Sequence, residues 1–215
     1  NIIIQNSSKL ADNPNQFYQF IEKYEYETLK ESSDELSKVV KNWYRGFEKA
    51  LLESYDNEWR IESYGVRGFN NSQTLLKVIR VMKDHLDEKM INKFISSPNI
   101  GFKKYFPVFI ILIKEGYENI VLEALNGNVE EIKLNLNRMS EQFLSAEDLK
   151  MIDKTIEKVT DPEKRNFAKI LFYRIGIKKG GENKGLDLFV SSVKEMIKQP
   201  IKDLTVKKKI IELIY

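Results

Sequence analysis

The run Tyr105-Phe106-Pro107-Val108-Phe109-Ile110-Ile111-Leu112-Ile113 constrains this chain more than any other stretch. Lys103-Lys104 fence it on one side and Lys114-Glu115 on the other. Its length falls far short of the ~20 residues that a membrane-spanning helix needs. A segment that is apolar on every side must instead be buried on every side. Pro107 suits a first helical turn, where a missing N–H costs nothing. The run therefore predicts a central core helix, wrapped by amphipathic helices before and after it.

The flanking sequence supplies such helices, with apolar residues at three- and four-residue steps. Asn13 can cap a helix that has Pro14 at its first position, with Phe17, Phe20, Ile21 and Tyr24 on one face. Ser32 and Glu35 read as a capping box ahead of Leu36, Val39, Val40, Trp43, Phe47, Ala50, Leu51 and Tyr55. A helix from Ser72 carries Leu75, Val78, Ile79, Met82 and Leu86, with a kink expected across 84–87 and a stop at Ser96-Ser97-Pro98-Asn99. After the central run, Gly127 is placed as a left-handed helix terminus. Asn128 with Glu131 is read as opening a helix through Ile132, Leu136, Met139 and Phe143. Ser145 with Asp148, and Asp161-Pro162, cap the next two. Leu186 to Ile197, ended by Pro200, and Val206 to Ile214 give the last pair. No segment sustains the two-residue alternation of a strand. The fold class is all-α, with about nine or ten amphipathic helices around the central one, as a bundle or short superhelix. Residues 1–12 read as a loosely ordered arm and 13–215 as a single helical domain, with a minor subdivision near 96–101.

Ala124 to Lys133 resembles the second-helix region of an ankyrin repeat, over about a third of one repeat. Ile110 to Met139, together with Gly185-Leu186-Asp187, resembles the helix–glycine–helix rhythm of FliG-type flagellar-switch N-terminal domains. Neither resemblance implies a functional residue.

Several chemistries are excluded by composition. There is no cysteine, hence no disulfide, no thiolate catalysis and no cysteine-ligated metal. His85 is the only histidine, so any Ser–His–Asp arrangement would have to use it. No nucleophile elbow accompanies it, and its place beside an apolar helix face reads as an edge-of-core or surface histidine. No Asp-x-Asp-x-Asp-Gly loop and no Glu-x-x-His is present, so no metal site is expected. Glu130-Glu131 and Glu147-Asp148 fall in first helical turns, where negative charge complements the helix dipole. The glycines from Gly176 to Gly185 fit neither phosphate-loop pattern, and no cofactor is expected. The first residue is Asn rather than Met, which leaves two compartments open. One is cytoplasmic. The other is extracytoplasmic or surface-anchored, after loss of a signal or lipidated N-terminus. The abundance of Lys, Asn and Ile suggests an AT-rich bacterial genome.

Charge is more informative. The formal net of +3 conceals an asymmetry: 12 acidic and 7 basic residues lie between Asp12 and Glu62, against 4 acidic and 13 basic between Lys164 and Lys209. Lys178, Lys179, Lys184, Lys207, Lys208 and Lys209 are the candidate contacts of a polyanion-attracting face. Arg165 and Arg174 are its only arginines, which weakens base-specific recognition. The acidic and basic ends could also attract each other, within or between chains. In the loop read over 58–71, Trp59, Tyr64 and Phe69 are either interface aromatics or anchors to the body. The expected function is a non-enzymatic interaction module that binds another macromolecule, most simply a protein. The alternatives are nucleic-acid or polyanion binding through 164–209, and an enzyme whose site leaves no motif.

Overall fold

The computed structural model describes residues 9–10, 13–53, 64, 72–97, 102, 104, 106–133, 146–177, 184–198 and 200–214. The expected N-terminal arm, the Trp59 and Phe69 positions and the glycine-rich segment 178–183 lie almost wholly outside them. Within the described residues the protein is all-helical, with 82% helix and no strands. It forms two compact units, Asn1–Phe102 and Lys103–Tyr215.

The first unit holds α1 (Pro14–Lys23), α2 (Tyr26–Glu31), α3 (Ser33–Leu52), α4 (Ser72–His85) and α5 (Glu88–Ser96). α4 packs against α1, α2, α3 and α5. The core is aromatic, and its centre is Trp43 on α3, fully buried. Phe17 stacks on it at 4.7 Å between ring centroids, and Tyr64 and Phe94 meet it at 5.5 and 5.2 Å. Pairs of this kind contribute about 0.5–1.5 kcal/mol each beyond the area they bury.

Helix ends follow the sequence in most places. The Asn13 carboxamide accepts from the N–H groups of Asn15 and Gln16, as the Asn-Pro start requires. The expected kink across 84–87 is a full break, because Asp87 starts a new helix and accepts the Met90 N–H at 2.8 Å. Ser97 is extended, as a residue before proline should be. The far end of α1 is closed from a distance. Lys77 of α4 donates to the carbonyls of Glu22 and Tyr24 at 2.9 and 3.0 Å, supplying donors to carbonyls that a helix end leaves open.

Ser32 departs from expectation. It starts α3, but its side chain makes no capping bond. The residue also ends α2, its N–H going to the Leu29 carbonyl, and its backbone (φ −100°, ψ 37°) is not the extended one that aims a capping hydroxyl.

The second unit holds α6 (Phe106–Lys114), α7 (Glu118–Asn126), a 3-10 turn (Val129–Glu131), α8 (Ala146–Ile156), α9 (Pro162–Ile177), α10 (Lys184–Lys198) and α11 (Leu204–Ile214). α6 is the apolar run, and every side chain from Val108 to Ile113 is at most 6% exposed. It packs on α7 and α8. α9 touches α7, α8, α10 and α11. Phe167, Ala168, Ile170, Leu171, Phe172 and Tyr173 are all buried, with only the half-buried Lys169 interrupting them, so α9 carries no single apolar stripe.

The glycine roles differ from those expected. The left-handed residue is Gly116 (φ 91°), after α6. There the Tyr117 N–H bonds to the Leu112 carbonyl and the Gly116 N–H to that of Ile113, the double closure that turns a chain sharply out of a helix. Gly127 has φ −80°, and its N–H closes on the Glu123 carbonyl. Lys164 of α9 donates to the carbonyls of Asn126 and Gly127, so the end of α7 is capped by a lysine rather than by a left-handed turn. The helix expected to open at Asn128 is also absent at its start. Asn128 does cap, accepting the Glu130 N–H, but only for the 3-10 turn. Ile132 is already extended, and the Lys133 N–H reaches across to the Lys104 carbonyl.

Candidate interaction surface

The basic stretch Lys164–Lys209 separates into two populations. One is consumed inside the fold. Lys164 caps α7, and the Arg165 Nε donates to the Val159 carbonyl at 2.9 Å. Lys169 pairs with Glu157 at 2.8 Å, and the Arg174 guanidinium lies over the Phe189 ring. Lys209 donates to the Ile132 carbonyl at 3.1 Å and pairs with Glu212 at 3.4 Å. The other population, Lys194, Lys198, Lys202, Lys207 and Lys208, is exposed. Lys178 and Lys179 lie outside the described residues. Lys184 begins α10, and its side chain is outside them too. The free positive charge is thus smaller than the sequence count implies.

Tyr64 is buried, packed between Trp43 and Phe47 and set against Gly46 of α3. His85 ends α4 half-buried. Burial lowers its pKa below the ordinary value, with Lys41 acting in the same sense and Asp84 opposing. The Asp84 carboxylate accepts the Tyr26 hydroxyl. No group of three or more His, Asp or Glu side chains able to hold a metal occurs among the described residues. No helix there is long and apolar enough to cross a membrane.

What the fold does bring together is a face on α11. The start of this helix is fixed twice. Asp203 accepts the N–H groups of Thr205 and Val206 at 2.8 and 3.2 Å. Glu163, in the first turn of α9, accepts those of Lys202 and Asp203 at 2.9 and 2.8 Å. Val206, Ile210 and Leu213 bury the inner face, at most 2% exposed. The outer face carries Leu204 and Ile211, 78% and 49% exposed, with Lys207 and Lys208 between them. Positions three, four and seven apart lie in one row on a helix. The row therefore alternates apolar, basic, basic, apolar on a rigidly held element.

Sequence reasoning placed Lys207 and Lys208 on this surface but also Lys209, which turns inward, and it missed Leu204 and Ile211. A signal was present: Ile210 and Ile211 are adjacent, about 100° apart on a helix, and one stripe cannot take both fully. No protein-family model matches the chain, and no curated protein or solved structure matches it.

Proposed function

We infer that this chain is a helical protein-binding module that meets its partner through the outer face of α11. The observation that carries this reading is the exposed row Leu204, Lys207, Lys208, Ile211 on a helix whose opposite side is core. Large apolar side chains stay in water at a cost of about 1.5–3 kcal/mol each, relative to burial. A row of them rimmed by lysine suits a surface with an apolar centre and acidic edges. Docking of that kind places apolar anchors at successive helical turns, as in helix-in-groove recognition. A nucleic-acid face would instead have lysine and arginine without the two apolar anchors. Consumption of Lys164, Arg165, Lys169 and Lys209 inside the fold also favours a protein partner.

The test is affinity capture from the source cells with wild-type and L204D/I211D chains as bait, quantified by mass spectrometry, alongside retention on heparin and DNA columns. A protein held by the wild type should fall by about tenfold or more with L204D/I211D, an energy of about 1.4 kcal/mol. K207E/K208E should weaken its capture more at low salt than at high salt. If both variants capture the same proteins as the wild type while K207E/K208E alone loses heparin or DNA retention, the face binds polyanions and the protein-binding reading is wrong.

A further inference from the structure

We propose that the cleft between the start of α7 and the outer side of α8 binds an organic anion: a phosphate or carboxylate head carried on an apolar body. This site is independent of the α11 face. The cleft has a volume of about 420 Å³ and is lined by Glu118, Glu147, Lys150, Met151, Lys154 and Lys158. That size suits a small organic ligand.

Lys150 and Lys154 stand one turn apart on α8, and Lys158 follows four residues on, just past the helix end, so that all three line the same cleft. Like charges in that register repel, by about 0.2–0.5 kcal/mol per pair. Only one is answered within the fold. Lys158 lies 2.5 Å from the Glu118 carboxylate, which also accepts the Thr155 hydroxyl at 2.6 Å. Those two bonds, Lys158 first, lower the Glu118 pKa below the ordinary carboxylate value, and they occupy the carboxylate within the fold. Lys150 and Lys154 have no such partner among the described residues. They stand one turn apart on the rim, with the half-buried Met151 beside them as an apolar contact.

Two neighbouring ammonium groups match the spread charge of a phosphate or carboxylate, and the methionine accepts whatever carries it. Glu147 sets a limit. It sits on the same rim three residues before Lys150 and would repel a second anionic group at that end, while accepting a hydroxyl or ammonium donor. The ligand class is therefore a single anionic head on an aromatic or aliphatic body, rather than a polyphosphate.

The probe is phenyl phosphate, titrated at millimolar concentration into protein labelled at its methionine methyl groups and followed by NMR, with inorganic phosphate in a parallel arm. Phenyl phosphate should move the Met151 signal saturably, and inorganic phosphate should move it far less. K150E/K154E should weaken the response by about tenfold or more. K194E/K198E, which alters exposed lysines of α10, should leave it unchanged. Circular dichroism confirms that both variants fold. An unmoved Met151 signal, an equal response to inorganic phosphate, or equal loss in K194E/K198E would each show that the cleft attracts ions without recognising a ligand, and would overturn the proposal.

Discussion

The Tyr64 hydroxyl rests directly on Gly46, in the space that a Cβ at that position would fill. Gly46 lies inside the long helix α3, where glycine is about 1 kcal/mol worse than alanine. Its missing side chain is a notch that seats the ring of Tyr64 against Trp43 and Phe47.

Helix propensity alone would make Gly46→Ala stabilising. Packing predicts the reverse: overfilling a tight site costs about 1–3 kcal/mol and should exceed the propensity gain. Urea unfolding of G46A should give a lower midpoint than the wild type. Tyr64→Phe, which removes the hydroxyl, should recover part of the loss in the double variant. A higher midpoint for G46A would mean that Tyr64 does not occupy the notch.

Ile210 and Ile211 are neighbours with opposite fates, 2% and 49% exposed. Ile210→Ala should cost about 2–5 kcal/mol, the range for deleting a buried aliphatic side chain. Ile211→Ala should stay within about 0.5 kcal/mol, as surface changes do. Thermal melts of the two variants decide it. Comparable losses would place both residues in the core and remove Ile211 from the proposed contact face.

Glu118 joins α7 to α8 through Lys158 and Thr155, which lower its pKa below the ordinary 4.5. A carboxylate depressed on folding contributes its full stability above the unfolded value and loses it as pH falls through the folded one. Acid should therefore destabilise the wild type below about pH 4.5 more steeply than Glu118→Gln. The Lys158 end of the pair is 55% exposed, so the difference should not exceed about 1 kcal/mol. Melting temperature followed from neutral to acid pH reads it directly, and parallel curves for the two proteins would refute it.

Tyr173 of α9 donates its hydroxyl to Asp153 of α8. Burial raises its pKa above the ordinary 10.0, and the Asp153 carboxylate raises it further. The protonated phenol is the form that folding favours. Its contribution is complete below pH 10.0 and is lost as pH climbs through the folded-state value. Tyr173→Phe should cost about 1.5–3 kcal/mol at neutral pH, the range for a hydrogen bond to a charged group. It should also remove one late-titrating phenolate from the ultraviolet alkaline titration. An unchanged titration curve would show that Tyr173 ionises like an exposed tyrosine.

Much of the fold was legible because its signals are local. Asn13-Pro14 and Asp161-Pro162 carry their own caps, and the apolar run of α6 admits only burial. The misreadings arise where a distant residue decides. Lys164 closes α7, so Gly127 did not need a left-handed backbone. Gly116 adopted one instead, where α6 must turn sharply into α7. The turn at Val129 is held by Asn128 but stops at Ile132, beside which Lys133 bonds to Lys104. The candidate surface was half visible. A charge count cannot tell a lysine that caps a helix from one that faces water, and the pattern around Ile210-Ile211 was read for its core side only.

Glu163 gives one carboxylate to two backbone N–H groups at the root of α11 while itself belonging to α9. The outer row from Leu204 to Ile211 is thereby fixed in place by a second helix. Under the proposed reading, docking would cost this side little conformational freedom and would leave most of the entropic cost to the partner.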